Sequence, residues 1–319
     1  MRYAAADVRK QFFIEMFTRD ISLEDCVLDL IDNSLDSYLL KHDISPSRLI
    51  FGPDVRTAPR DLGTINVSCT ERQIKVVDTC GGIPRSRAMD GVFCFGHGED
   101  NPVGKLGAYG VGMKRALFKI GNKFHIVSRT ASEGFEVTLK LDEWAKDKEW
   151  KVPVNFIDGA ASERKAGTSI TITDLHDEVA LRITEGGVPK NILDDAATTY
   201  PYFLGQCVTL CINDTEVVPE RTKFGEQDGV LRPAHERFQQ EGVTVTLAAT
   251  VAPGPRTMEQ VGWNVLCNGR VVVHADKTSL TGWAEGLPSF QPKYRSFVGL
   301  ASFDPTIHWR YLGRRPSAR

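Results

Sequence analysis

Much that would point elsewhere is missing from these 319 residues. No apolar run approaches the roughly 20 residues that span a bilayer. The start, Met1-Arg2-Tyr3, carries no apolar core of a secretory leader. The seven cysteines (Cys26, Cys69, Cys80, Cys94, Cys207, Cys211 and Cys267) are scattered, odd in number and form no CxxC pair. That excludes a zinc ribbon or a disulfide framework and leads us to expect reduced thiols in a cytoplasmic protein. An excess of charge of one sign is also missing: 39 Lys and Arg stand against 41 Asp and Glu. Nucleic acid is therefore not indicated by overall charge, although Arg310, Arg314, Arg315 and Arg319 form a local basic stretch. There are no internal repeats, no GxSxG elbow and no HExxH pair. Gly98 to Lys105 imitates a P-loop, but its glycines are one residue too far apart. Leu106 also stands where a Ser or Thr should follow the lysine.

What is present fits two domains, expected at 1–180 and 190–319 with a boundary near His176 to Pro189. Val8, Phe12, Phe13, Met16 and Phe17 recur at helical spacing. Ser22 is a candidate N-cap for a second helix running to about Leu40. Alternation then predicts strands at 65–69 and 74–76, and a loop rich in Gly, Asp, Asn and Pro at 96–110. A helix is expected at 111–120 and strands at 124–128, 135–141 and 169–173. This order predicts an α+β two-layer sandwich with helices on one face of a mixed sheet. Beyond the boundary a helix is expected at 190–204, with strands at 208–212, 243–251 and 263–273.

The second helix is the most informative segment. Asp29, Asp32, Asn33 and Asp36 fall at offsets of three, four and seven, which puts them on one face. Like charges at such spacings cost about 0.2–0.5 kcal/mol each. Oxygen ligands on a rigid helix suit a hard cation such as magnesium; the same stripe suits a solvated acidic face. Asp78-Thr79-Cys80-Gly81-Gly82-Ile83 follows a strand, so Asp78 is placed to accept from an exocyclic amine while glycines let a flat ring approach. Alone, it is equally an ordinary turn. Gly107-Ala108-Tyr109-Gly110-Val111-Gly112-Met113-Lys114 opens an apolar helix, an arrangement that presents amides to an anion. Lys105, Lys114 and Arg115 would add positive charge there.

These elements, in this order, resemble the GHKL superfamily, which includes the gyrase B ATPase domain, the large heat-shock chaperones, MutL, histidine kinases and MORC proteins. The matching positions are Asp29-x-x-x-Asn33-x-x-Asp36, Asp78-x-Cys80-x-Gly82, Gly107-x-x-Gly110-x-Gly112 and Gly167-Thr168. Asp-Leu-Ile-Asp-Asn-Ser and Gly-Val-Gly-Met-Lys are nearest to the MORC-like branch. The resemblance implies a Bergerat-type ATP-binding fold followed by a smaller α/β transducer-like domain, with ATP and Mg2+ as cofactors. By the same resemblance Asn33 binds the metal, Asp36 belongs to the site, and Asp78 reads adenine, partly through a water shared with Thr168. Gly82 and Ile83 line the ring, Gly107, Gly110, Val111, Gly112 and Lys114 close on the phosphates, and Asp29 is the general base.

Two positions depart from that pattern. Asp29 replaces the usual Glu and is one methylene shorter, so either the water must sit closer or hydrolysis is expected to be slow. Cys80 replaces a glycine and must fit an unusual backbone or a shifted turn. Trp263 to Arg270 resembles the Asn-Gly-Arg strand of MutL and MORC second domains. Such domains supply a lysine to the γ-phosphate. Here the chain after Phe303-Asp304-Pro305 reads Thr306-Ile307-His308-Trp309, so the expectation is an altered or shortened end, with Lys277 or Arg310 as substitutes. The expected function is a slow Mg-dependent ATPase, cytoplasmic and without a membrane. Its ATP state would drive lid closure and homodimerisation, and an unknown protein partner is expected. The alternative is a regulatory module with negligible hydrolysis. A kinase would need a phosphoacceptor histidine in a helical dimerisation motif, and none is present.

Overall fold

The computed structural model describes residues 8–51, 61–95, 105–107, 110–158, 165–221, 234–251, 257–286 and 288–305. The loop expected at 96–110 is thus described only at its ends. Thr306 to Arg319, with the C-terminal arginines, lies outside the described residues.

Helix α1 (Lys10–Thr18) docks through aromatic rings. Phe13 and Phe17 stack at 5.0 Å, and both meet Phe95 edge-on. The Lys10 ammonium is buried, 3.8 Å above the Trp144 ring, and donates to the Trp144 carbonyl. Helix α2 (Leu23–His42) begins as its sequence dictates: the Ser22 hydroxyl accepts from the Asp25 amide at 2.9 Å. It ends at Asp43, which adopts the left-handed conformation. Leu30, Ile31, Leu35 and Tyr38 form its buried stripe. A short α3 (Pro46–Phe51) follows.

Eight strands make the first sheet: β1 (Gly63–Thr70), β2 (Gln73–Asp78), β3 (Gly121–Arg129), β4 (Gly134–Lys140), β5 (Asn155–Ile157), β6 (Gly167–Leu175), β7 (Val208–Ile212) and β8 (Thr215–Glu216). They run in the order β5-β4-β3-β6-β2-β1-β7-β8. The β1–β7 pair is parallel and the others antiparallel, so the sheet is mixed. Ile65, Val67, Ile74, Val76, Ile126, Ile170 and Ile172 are buried on alternate positions. They share a core with α2, α5 (Gly112–Ile120), α7 (Asp177–Thr184) and α8 (Val188–Thr199). Between β2 and α5 lie α4 (Arg85–Arg87) and a π-turn, Ala88–Val92; α6 (Leu141–Lys146) follows β4.

The first sheet draws β7 and β8 from beyond the expected boundary at 180–190. The reason is packing. The Val208, Leu210 and Ile212 side chains are buried beside β1, and α8 lies on α2, with the hydroxyl of Tyr200, the residue after α8, 3.0 Å from the Leu28 carbonyl oxygen. The remaining strands form a separate sheet: β9 (Ala234–Gln240), β10 (Val243–Val251), β11 (Gly262–Cys267), β12 (Arg270–Asp276) and β13 (Phe297–Pro305), in the order β12-β11-β13-β10-β9. The single strand expected at 263–273 is a hairpin. Asn268 (φ 50°) and Gly269 (φ 79°) supply the positive φ values of its two-residue turn. Tyr202, Leu266, Val271 and Leu300 pack with Leu49 and Ile50 of α3, joining this sheet to the first lobe.

Candidate functional site

A cleft of about 340 Å³ opens between α2, the ends of β2 and β6, and the turn before α5. Its α2 wall is Leu30, Asn33, Ser34, Asp36, Ser37, Leu40 and Lys41. At about 100° per residue, Asn33, Ser37, Leu30, Lys41 and Ser34 span an arc from about 40° to 140° around the helix, measured from Asp29. Asp29 and Asp36 lie about 40° and 60° beyond the near edge of that arc, and Asp32 lies about 100° beyond it. The four-residue acidic face expected from spacing is therefore divided.

At one end of the cleft Asp78 is buried at the end of β2. Its Oδ1 accepts from the amides of Cys80 at 2.8 Å and Thr168 at 3.2 Å, and its Oδ2 accepts from the Ser34 hydroxyl at 2.8 Å. Burial raises its pKa, while these three donors lower it. Each carboxylate oxygen has two acceptor positions, so Oδ1 is filled and Oδ2 keeps one. The network continues: the Ile83 amide donates to Ser128 Oγ at 2.7 Å, and Ser128 Oγ lies 2.9 Å from Thr168 Oγ1. Gly81 (φ 120°) and Gly82 (φ 73°) carry the turn's left-handed backbone, and a Cβ at Gly82 would stand 2.1 Å from the Arg129 carbonyl oxygen. Cys80 itself lies outside the left-handed region and is buried, so its side chain does not meet the unusual backbone that was one of the two expectations for it; the left-handed positions are Gly81 and Gly82.

At the other end Asp36 holds the glycine turn. Its Oδ1 accepts from the Leu106 amide at 2.8 Å and its Oδ2 from the Gly107 amide at 3.1 Å. Burial pushes its carboxyl up to about 6, against those amides and the cations Lys105 and Arg87. Lys105 and Arg87 both line the cleft, and burial together with Arg87 draws the Lys105 ammonium down to about 8. Gly110 (φ 59°) turns the chain into Val111, which precedes α5 with no side-chain cap. The first-turn amides of α5 thus lack the partner a capping side chain supplies.

Asn33, Asp36, Asp78, Gly82, Ile83, Gly107, Gly110, Lys114 and Thr168 all line this one cleft. Val111 and Gly112 adjoin it at the start of α5. Asp29 is not among its lining residues; its Oδ2 accepts from Arg115 Nη2 at 2.9 Å. Arg115 therefore does not add its charge to an anion site as expected, because the carboxylate on α2 claims it. Asp32 is turned into the protein, accepting from the Tyr200 hydroxyl at 2.7 Å and facing Arg270 Nε at 3.3 Å. Burial pushes its carboxyl up to about 7, against the pull of Arg270 and Tyr200. Lys114 lines the cleft but donates to the Val92 carbonyl of the π-turn at 2.9 Å. Lys277 is committed to the carbonyls of Met258, Val261 and Ala275, and Arg310 lies outside the described residues.

Sequence reasoning passed over Ser34, Ser128 and Arg87. Ser34 was legible from helical phase, five positions after Asp29; Ser128 and Arg87 are brought in only by strand pairing and by the π-turn. It singled out the Asn-Gly-Arg segment but not its contact with the site: the Asn268 Nδ2 donates to the Lys105 carbonyl at 2.7 Å and so ties the second sheet to the glycine turn.

Asn33 is the expected metal ligand. Its Nδ2 donates to the Asp29 carbonyl at 2.6 Å, which leaves Oδ1 facing Gly107. A neutral carbonyl oxygen suits a hard cation, and no cluster of three His, Cys, Asp or Glu is placed to cage a metal among the described residues. The donor set fits a magnesium ion that completes its shell with water and a bound anion's oxygens. No helix among the described residues is long and apolar enough to cross a membrane.

Residues 21–168, just under half of the chain, match the family model for histidine kinase-, DNA gyrase B-, and HSP90-like ATPases. The matched stretch begins just before α2, includes both glycine turns and ends at Thr168. It supports the GHKL superfamily, and with it ATP binding, for this segment. No curated protein matches the chain.

Proposed function

We propose, taking residues 21–168 as an ATPase-family domain of the histidine kinase, gyrase B and heat-shock chaperone kind, that the protein binds ATP in this cleft and hydrolyses it slowly. The observation that carries the reading is Asp78. It is a buried carboxylate with three donors already in place and one acceptor position left, and Gly82 and Ile83 stand beside it. That remaining position suits the exocyclic amine of adenine and opposes the carbonyl of guanine.

The other end suits a polyphosphate. Lys105 and Arg87 line it, the uncapped start of α5 adjoins it through Gly110 and Met113, and the Lys114 ammonium is held at the π-turn. These cations all come from the lobe that carries Asp78, so the reading needs no lysine from the second sheet. Magnesium, held at Asn33, would neutralise charge on the phosphates. In hydrolysis a water oxygen forms a bond to the γ-phosphorus and the bond from that phosphorus to the β–γ bridging oxygen breaks. The bridging electron pair leaves on ADP, and one water proton passes to Asp29.

We also place the division between lobes after β8, with the five-stranded sheet in the role of a transducer. The finer readings, lid closure by the glycine turn, an ATP-bound dimer and a MORC-like relation, rest on the motifs Asp29–Ser34 and Gly110–Lys114. The second reading, a nucleotide-binding module with negligible turnover, is favoured by the Arg115–Asp29 pair. Titration of ATP and a phosphate-release assay separate the two. Asp29→Asn is expected to keep ATP affinity and abolish release; release at the normal rate removes Asp29 from the mechanism.

A further inference from the structure

Asp29 stands one helical turn before Asn33, close to the cleft, yet it does not face it. Three features hold it aside. Arg115 Nη2 donates to its Oδ2 at 2.9 Å, with the two side chains only 34% and 16% exposed. Gly112 lies against it so closely that an added Cβ would stand 2.9 Å from the Asp29 Cγ and 3.1 Å from its Oδ2. Arg115 Nε is buried with no hydrogen-bond partner among the described residues, so the guanidinium is fixed here by the one carboxylate and by packing. An unpaired buried donor is costly, and an arrangement that leaves one is readily exchanged for another.

We infer that Arg115 is a positioning residue that gates the candidate base: its ion pair holds the Asp29 carboxylate out of the cleft, and ATP is hydrolysed only when the pair parts. This rests on the ATP reading proposed above. The pair joins α2 to the first turns of α5, and α5 begins at the glycine turn that Asp36 and Asn268 hold through Leu106, Gly107 and Lys105. A displacement of that turn therefore moves Arg115 relative to Asp29. A side chain one methylene shorter than Glu, held by Arg115 and packed against Gly112, does not reach into the cleft while it is paired. The resting protein thus binds ATP with its base withheld. When the pair opens, the water proton passes to Asp29 as the oxygen–phosphorus bond forms and the β–γ bridging bond breaks, giving ADP and phosphate.

The test is steady-state phosphate release with magnesium–ATP, alongside ATP titration by calorimetry, on the full chain. Arg115→Met is expected to raise the rate at saturating ATP at least fivefold while the ATP Kd stays within twofold. Arg115→Lys, which can keep the ion pair, is expected to hold the rate near that of the parent. Adding Asp29→Asn to Arg115→Met is expected to remove the gain. Should Arg115→Met not fold, as read by thermal melting, Arg115→Gln carries the same expectation. An unchanged or lower rate in a folded Arg115→Met or Arg115→Gln protein overturns the gate while leaving the ATP reading intact. A gain that survives Asp29→Asn also overturns it. Absence of ATP binding by the parent protein overturns the ATP reading, and the gate with it.

Discussion

The two ends of the cleft are built by different means. At the Asp78 end, four elements meet in a buried and satisfied network: Ser34 from α2, Asp78 from β2, Ser128 from β3 and Thr168 from β6. At the Asp36 end, charged side chains are gathered around a glycine turn whose neighbours, 96–104 and 108–109, lie outside the described residues. A satisfied network in a low-dielectric interior is rigid and selective, because any partner lost leaves a buried group unpaired. Half-buried charges held by main-chain amides can be re-paired at small cost. Under the ATP reading proposed above, the first end suits recognition and the second suits control.

The largest break in that comparison comes from Asp78→Asn. An amide that keeps its oxygen toward the Cys80 and Thr168 amides presents N–H where the Ser34 hydroxyl and the adenine amine need an acceptor. ATP affinity is expected to fall about 100-fold, on the order of 2.7 kcal/mol, in a calorimetric titration; a change under threefold would strip Asp78 of its role. Smaller, and confined to the other end, are Lys105→Met and Arg87→Met. Each is expected to weaken ATP about tenfold while adenosine, which lacks phosphates, binds as before. Equal losses for ATP and adenosine would erase the distinction between the two ends.

Asn33→Ala sharpens the control end further. ATP affinity measured with magnesium is expected to drop about fivefold, to the value measured in EDTA, where parent and variant should agree. A variant that still responds to magnesium would place the metal elsewhere. The smallest effect concerns the neighbouring acid that the cleft excludes. Burial raises the Asp32 carboxyl to about 7, so the folded state holds this proton more tightly than the unfolded chain. Its stabilising contribution is present below about pH 4 and is lost as pH rises through about 7. The fall in melting temperature between pH 5.5 and 8 is expected to be shallower in Asp32→Asn by a few degrees; identical slopes would show that Arg270 already keeps Asp32 ionised.

Local rules made part of this legible. The Ser22 cap and the apolar stripe defined α2, and alternation defined β1, β2 and β6. The second sheet was read less well. The expected strand at 263–273 missed an Asn-Gly turn, and β9, with every residue exposed and Phe238 its only large apolar side chain, gave no periodic signal. The extent of the first sheet was illegible for a related reason: β7 belongs to it only because it pairs in parallel with β1, some 140 residues earlier in the chain, and no local pattern records such a pairing.

By itself the sequence determined which residues share a helix face, where glycines relax the backbone and which acids can stand near a cleft, since these follow from helical phase and local sterics. Tertiary structure alone decided what each acid does. Asp36 holds the glycine turn, Asp29 is taken by Arg115, and Asp32 is buried between Tyr200 and Arg270. The four side chains from Asp29 to Asp36 differ by tens of degrees around one helix, and their roles were settled by which distant segment packs on each side. A carboxylate's chemistry depends on its nearest charge and its burial, and both are set by contacts made 70 to 240 residues away.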